Sequence, residues 1–357
     1  MNRRTIIKGF GVGAAISVAN KVKSAIAGNE NDRRVWRMAT SWTKEMPILQ
    51  SGAERFAEHV ALLSGNRLKI KVYAGGELIK SLEVFDAVSE GTVECGNAAS
   101  YYWAKKVPAA QWFTTVPFGL RASDLNTWLH QGGGLELWQE VYAPYNVIPM
   151  PAGNTGLQMG GWFNKQILTT ADFKGLKMRM PGLGGRVLTK LGATVVLLPA
   201  GQIYEALESG KINATEWIGP YHDMLMGFQR IAKYYYAPGW HEPGTGFEFI
   251  VNRKAYETLP PDLQYILRAA TFDLACQVFT EFEYQNAKAM LKIAQERKVQ
   301  LRLFPQSVLR DLQAISVGVM EEEASRDVMS RRVHDAYTQF KDDMEKYALL
   351  KGAGRRI

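Results

Sequence analysis

Two short segments carry side chains whose chemistry is hard to explain by packing: Gly175-Leu-Lys-Met-Arg-Met-Pro-Gly182 and Asn213-Ala-Thr-Glu-Trp-Ile-Gly-Pro220. The first sets Arg179 among apolar residues where a strand should end at a Pro-Gly turn. The second sets Glu216 beside Trp217, again between an apolar stretch and a Gly-Pro turn. A sheltered guanidinium or carboxylate is costly unless paired. A small carboxylic acid would satisfy Arg179 through a bidentate fork, and a bound cation would satisfy Glu216. The alternative is internal: Arg179 makes a structural salt bridge to a nearby acid, Glu216 being the obvious one, and no metal is involved.

Other residues could complete such a site. Tyr101-Tyr102-Trp103 follow a short predicted strand. The two tyrosines are expected to wall a pocket and donate phenolic hydrogen bonds, with Trp103 in the packing. Gln158, in Asn154-Thr-Gly-Leu-Gln-Met, offers an amide oxygen. With a carboxylate and a backbone carbonyl it would make a hard-oxygen set suited to Na⁺ or Ca²⁺. Asn154 either bonds the ligand carboxylate or holds the hinge.

The elements that must position these residues read as alternating strands and helices, an α/β pattern. Val35–Ala39 and Leu68–Tyr73 read as strands, with a helix between them carrying Leu49, Ala53, Phe56, Ala57 and Val60 at helical spacing. Ser81 is expected to cap a helix over 82–90 that stops at Gly91, followed by a buried strand over 93–97. Val147–Met150 leads toward a second lobe near Asn154. There Thr170 should cap a turn before the strand Lys177–Met180. A helix over 182–191, a strand over 194–198, a helix over 202–209 and a returning strand over 247–252 follow. Two crossings between lobes make a hinge. From Leu263 to Lys298 there is no Gly or Pro, so a long helix is expected, and the C-terminal third is mostly helical.

Composition narrows the function. The chain has 357 residues, 43 Lys+Arg and 35 Asp+Glu, a net of +8. Arg3-Arg4, an apolar run to Ala19 and Ala25-Ile-Ala27 have the layout of a twin-arginine export signal over residues 1–27. Ile6 departs from the Phe such signals often carry. Five of the basic residues and no acid lie in that stretch, leaving 38 against 35, a net of +3, in the remainder. Lys and Arg are spread without a basic block, so no nucleic-acid partner is expected. A mature chain of about 330 residues exceeds one core, and two lobes are the default. Cys95 and Cys276 are too few for a cysteine metal site and are expected to be two buried free thiols. Catalytic patterns are weak. Gly182-Leu-Gly-Gly185 lacks the third glycine and the following acid of a dinucleotide loop. His241-Glu-Pro lacks the second histidine of a zinc protease. No Gly-x-Ser-x-Gly elbow occurs.

The two opening segments, with Trp36-Arg-Met-Ala-Thr-Ser-Trp42, Ala74-Gly-Gly-Glu-Leu78, Glu90-Gly-Thr-Val-Glu-Cys95, Gly153-Asn-Thr-Gly-Leu-Gln-Met-Gly-Gly-Trp-Phe163 and Tyr234-Tyr-Tyr-Ala-Pro-Gly-Trp240, resemble a solute-binding protein of the tripartite ATP-independent periplasmic (TRAP) transporters. The resemblance spans nearly the whole chain and falls in the group that binds 2-oxo acids together with a cation.

It implies an α/β two-lobe periplasmic-binding-protein fold with a hinge and long C-terminal helices. Lobe I would comprise 34–155 plus 243–282, and lobe II 156–242 plus 283–357 with the C-terminal helices. It gives Arg179 the ligand carboxylate and assigns the cation to Gln158, the Glu216 carboxylate and the Trp217 carbonyl. Glu242 matches a position that touches ligand or cation. The implied ligand is a 2-oxo monocarboxylate, pyruvate or a longer homologue, ahead of a 2-hydroxy acid such as lactate. Na⁺ is expected ahead of Ca²⁺. The implied setting is the periplasm, the implied partners are TRAP membrane subunits, with a sensor-input binding protein of the same fold as the alternative, and a homodimer is expected. No catalytic role is expected.

Overall fold

The computed structural model describes residues 33–295 and 298–353, with side chains to 351. The export signal expected over 1–27 lies outside them. Two sheets organise the described chain. The first has strand order β2-β1-β3-β10-β4, with β1 Arg34–Thr40, β2 Leu68–Tyr73, β3 Cys95–Ala98, β4 Val147–Asn154 and β10 Gly246–Asn252. The second has order β11-β9-β5-β8-β6-β7, with β5 Gly161–Phe163, β6 Lys177–Arg179, β7 Thr194–Val196, β8 Ala214–Thr215, β9 Tyr234–Ala237 and β11 Gln300–Leu303. This is the two-lobed α/β architecture, one sheet to each lobe.

Alternation along the strands feeds two different cores, because neighbouring side chains point to opposite faces. Met38, Trp162, Tyr235, Phe249 and Val251 join one cluster. Ala39, Phe163, Tyr234, Tyr236 and Ile250 join the other. Each cluster runs across both lobes.

The chain passes between the sheets twice near the centre, over 155–160 and over 238–245. These crossings are bonded to one another. Thr155 N donates to Thr245 O (3.0 Å), Gln158 N to Glu242 O (3.2 Å) and Gly239 N to Gln158 O (2.9 Å). Gly239 is glycine for a steric reason, since a Cβ there would run into the Gln158 carbonyl. The hinge is thus a short paired ribbon.

The 35-residue helix Pro261–Gln295 packs on β4 and on the helix Gln50–Leu63 in the first lobe, and on the helix Pro220–Leu225 in the second. The helix Gln306–Ala324 packs on Gly182–Lys190 of the second lobe. The last helix, Val328–Ala353, packs on Ala122–Gln131 and Gly134–Tyr142. It also packs on the helix Gln306–Ala324. Its contact with the first lobe sets Tyr337 edge-on to Trp128 at 5.1 Å.

Three local expectations shift. Ser81 caps no helix, because the helix is Val84–Glu90 with Glu83 at its N-cap. Ser81 instead lies against Gly75, in the turn where Gly76 N bonds Ile79 O at 2.8 Å. Thr169, not Thr170, caps the turn before β6 and shares a capping box with Asp172. Of the two thiols, Cys95 is buried but Cys276 is exposed. It sits on the outer face of the long helix, which periodicity alone did not separate from the inner one.

Candidate functional site

β6 and β8 run parallel with Arg179 opposite Thr215. Glu216 N bonds Arg179 O at 3.2 Å, so the residue after Thr215 lies beside the guanidinium. Arg179 and Glu216 are each only 1% exposed. Nη1 of Arg179 bonds one carboxylate oxygen of Glu216 and its carbonyl oxygen (3.1 Å), while Nε donates to Leu198 O (3.3 Å). The guanidinium carbon lies 5.0 Å from the Trp217 ring centroid, within cation–π range. The internal pairing left open by the sequence is therefore present.

That pairing is incomplete. Glu216 Oε2 is buried and has no hydrogen-bond partner among the described residues, and the same holds for Gln158 Oε1. Gln158 is held through its amide nitrogen, which donates to Thr245 Oγ1 (3.0 Å) and, at longer range, to Thr155 Oγ1 (3.4 Å). Thr245 Oγ1 in turn donates to a carboxylate oxygen of Glu242. Gln158 on one crossing is thus joined to Glu242 on the other, and a Glu242 carboxylate oxygen lies within 4.8 Å of one from Glu216, just after β8. Asn154 divides its two atoms: Oδ1 accepts from Gly156 N (2.9 Å) and shapes the turn, whereas Nδ2 is buried without a partner among the described residues.

Electrostatics follow from burial. Desolvation pushes the Glu216 carboxyl up to about 7 against the pull of Arg179. It pushes Glu242 up to about 7 as well, aided by repulsion from Glu216. Desolvation works against the Arg179 charge, but Glu216 and its neighbours outweigh it and raise the guanidinium further. Burial holds Tyr101 well above its ordinary value and Tyr102 at about 12, so both remain hydroxyl donors. Two like-charged carboxylates beside one cationic group are short of positive charge. Hard oxygens of this kind fit Na⁺ or Ca²⁺.

Tyr101 and Tyr102 stand on the first-lobe side. The Tyr102 hydroxyl is close enough to the Arg179 guanidinium to feel its charge, and Tyr101 faces Gly182, where an added Cβ would lie 3.5 Å from its ring. Both line an interlobe cavity of about 580 Å³ with Met180, Pro181, Gly182 and Arg186. Trp103 turns into the core, bonding Tyr142 Oη through Nε1 (2.7 Å) and stacking on Phe85.

Sequence reasoning missed two residues. Thr245 carries no motif; only the fold reveals that its hydroxyl joins the crossings. His241 was weighed as half of a protease motif, yet it lies in this cluster, with Nε2 3.5 Å from Glu216 Oε2. Its place beside Glu242 was the signal that could have found it.

The pattern of the DctP family, bacterial extracellular solute-binding protein family 7, matches residues 38–327. The chain belongs to this family. As a DctP-family TRAP solute-binding protein it is 42% identical over 346 residues to the "Monocarboxylate 2-oxoacid-binding periplasmic protein" of Nostoc sp., covering 96% of this chain and 94% of that one. A TRAP periplasmic solute-binding protein from Colwellia psychrerythraea, solved with bound calcium and pyruvate, superposes with a TM-score of 0.87 at 39% identity. One from Pseudoalteromonas atlantica, solved with bound sodium and pyruvate, superposes with a TM-score of 0.87 at 37% identity. Each alignment covers 90% of this chain and 98% of the other. Among the described residues no helix is long and apolar enough to cross a membrane.

Proposed function

We propose that this protein works in the periplasm, where it captures a small 2-oxo monocarboxylate, pyruvate or a longer homologue, together with Na⁺ or Ca²⁺. It then presents the acid to TRAP membrane subunits. The observation that carries the reading is two buried, partnerless oxygens: Glu216 Oε2 beside a paired Arg179, and Gln158 Oε1 on a side chain joined through Thr245 to Glu242. Buried acceptors left unbonded are costly, and a cation shared with an acid relieves both while charge is balanced. Relatives that bind a 2-oxo acid, or pyruvate with calcium or sodium, add support.

In this reading Arg179 exchanges partners. Without ligand it is satisfied by Glu216. When the acid enters, the guanidinium fork turns to the ligand carboxylate. Glu216, Gln158 and the Trp217 carbonyl hold the cation. The cation, when bound, supplies a common positive centre for the carboxylate and the 2-oxo oxygen. Asn154 Nδ2 donates to the carboxylate, Tyr101 and Tyr102 wall the chain end and exclude water, and Glu242 holds Thr245 and adds negative charge toward the cation. Because the donors belong to both crossings and both lobes, loading favours the closed arrangement.

We assign lobe I to 34–155 plus 243–282, and lobe II to 156–242 plus 283 onward, with the last helix of lobe II also packing on lobe I. Residues 1–27 are assigned to twin-arginine export. A homodimer is the expected assembly, tested by light scattering of the mature chain.

The deciding experiment is calorimetry of the mature protein with pyruvate, longer 2-oxo acids, lactate, a dicarboxylate and a sugar, in Na⁺, in Ca²⁺, and with neither. Cation-dependent binding of 2-oxo monocarboxylates is expected. Binding of the dicarboxylate or sugar in their place, or acid affinity indifferent to both cations, overturns the proposal.

A further inference from the structure

The His241 ring is 1% exposed, yet Nδ1 and Nε2 both lack a hydrogen-bond partner among the described residues. The 3.5 Å separation from Glu216 Oε2 is long for a hydrogen bond. An imidazole buried with neither nitrogen engaged is costly. Its place is fixed: Gly184 leaves room for it, since a Cβ there would lie 2.7 Å from His241 Cβ. Ligand atoms of Glu216, His241 and Glu242 all fall within 4.8 Å of one another, and all three residues are buried.

Na⁺ and Ca²⁺ take oxygen ligands and would leave the imidazole unengaged. Two carboxylates and an imidazole form a mixed N/O donor set of the kind that first-row divalent metals accept. Charge calls for a divalent ion, Ca²⁺ or a transition metal alike, because Arg179 offers one positive charge against Glu216, Glu242 and an incoming acid anion; the imidazole is what separates the two.

Resting on the reading of this cluster as a cation site, we propose that it also admits a divalent first-row transition metal such as Mn²⁺, Co²⁺ or Zn²⁺. His241 Nε2 supplies a nitrogen ligand beside the Glu216 and Glu242 carboxylates. Such a metal competes with Na⁺ or Ca²⁺ and makes capture of the acid responsive to transition-metal supply.

The test uses the mature wild-type protein and His241→Gln, loaded with Ca²⁺, Mn²⁺ or Co²⁺. Nitrogen hyperfine coupling in the electron paramagnetic resonance of Mn²⁺-loaded wild type is expected. Co²⁺ affinity should fall in His241→Gln by about tenfold more than Ca²⁺ affinity, a loss on the scale seen even for outer-shell partners of metals. If Ca²⁺ binds to wild type but Mn²⁺ and Co²⁺ do not, or bind without nitrogen coupling, the inference fails alone. Equal losses of Co²⁺ and Ca²⁺ affinity in the variant also overturn it. If no cation binds to wild type or promotes acid binding, the proposed function fails with it. The coupling measurement needs no variant, so misfolding of His241→Gln leaves a decisive result.

Discussion

Gln158 on the outgoing crossing donates its amide nitrogen to the Thr245 hydroxyl on the returning one, at 3.0 Å. Thr245 passes its own hydrogen to Glu242. One hydroxyl therefore fixes which end of the Gln158 amide is left without a partner and ties that choice to the Glu242 carboxylate. Hinge and site share a single polar chain.

Thr245→Val removes the hydroxyl while keeping the branched shape. Gln158 then loses the bond that orients Oε1. One neutral hydrogen bond is worth about 1 kcal/mol net, so cation-dependent acid affinity should weaken by about fivefold. Calorimetry in Ca²⁺ checks this, with a melting curve to verify folding. Undiminished affinity in a folded variant would show that Gln158 needs no such support.

Arg179→Lys preserves charge but loses the planar fork and the Nε bond to Leu198 O. Hydrogen bonds to charged groups contribute about 1.5–3 kcal/mol each, so acid affinity should fall by about tenfold or more. Glu216→Gln tests the other half. It should abolish most of the cation dependence, and it should lower stability because Arg179 is left buried beside a neutral amide. A variant that loses stability while its remaining affinity is still fully cation-dependent would confine Glu216 to a structural role.

The sequence made the frame legible where pattern and geometry coincide. Alternation in Leu68-Lys-Ile-Lys-Val-Tyr73 marked β2 at its observed bounds. Gly91 ended its helix in the left-handed conformation a glycine permits. Arg179 and Glu216 stood out because charged residues rarely sit in apolar runs. Their mutual bond was readable only as an alternative, since it depends on the parallel register of β6 and β8, which local sequence does not encode. Thr245 and His241 escaped for the same reason: their meaning lies across 87 residues from Gln158 in one case and against β8 in the other.

If the acid frees Glu216 from Arg179 while the cation needs Glu216, each must strengthen the other. Linkage requires the same factor in both directions. Ca²⁺ should raise pyruvate affinity by about 5–150-fold, the usual span of such coupling, and pyruvate should raise Ca²⁺ affinity equally. Paired calorimetric titrations measure both factors. Independent binding of the two would show that the Arg179–Glu216 pair is never broken.

Cys95 Sγ lies within the first sheet, 3.6 Å from Arg37 O, and burial pushes its thiol well above the ordinary value. Cys276 is exposed. A thiol reagent should therefore label Cys276 in the native protein and Cys95 only on unfolding. Peptide mapping after alkylation with and without denaturant reads this directly; native labelling of Cys95 would contradict the burial.

His222 supplies a pH prediction away from the cation cluster. Its Nε2 lies 2.9 Å from Pro47 O as a donor, and burial lowers its pKa to about 4 from 6.5. Above pH 6.5 the ring is neutral in folded and unfolded chains and adds no pH dependence. As pH falls from 6.5 toward 4, the unfolded chain takes up a proton that the folded one refuses. Stability is therefore lost across that window, by at most about 1.4 kcal/mol per pH unit. Burial of the neighbouring Asp223 raises its pKa to about 6, which acts in the opposite sense: its contribution grows as pH falls through 6. Comparing wild type with His222→Gln removes the Asp223 effect. The glutamine keeps a donor for Pro47 O but does not titrate, so the stability advantage of wild type should shrink steadily as pH falls from 6.5 to 4. Urea unfolding across that range measures it, and a constant difference would mean that His222 is protonated in the folded state.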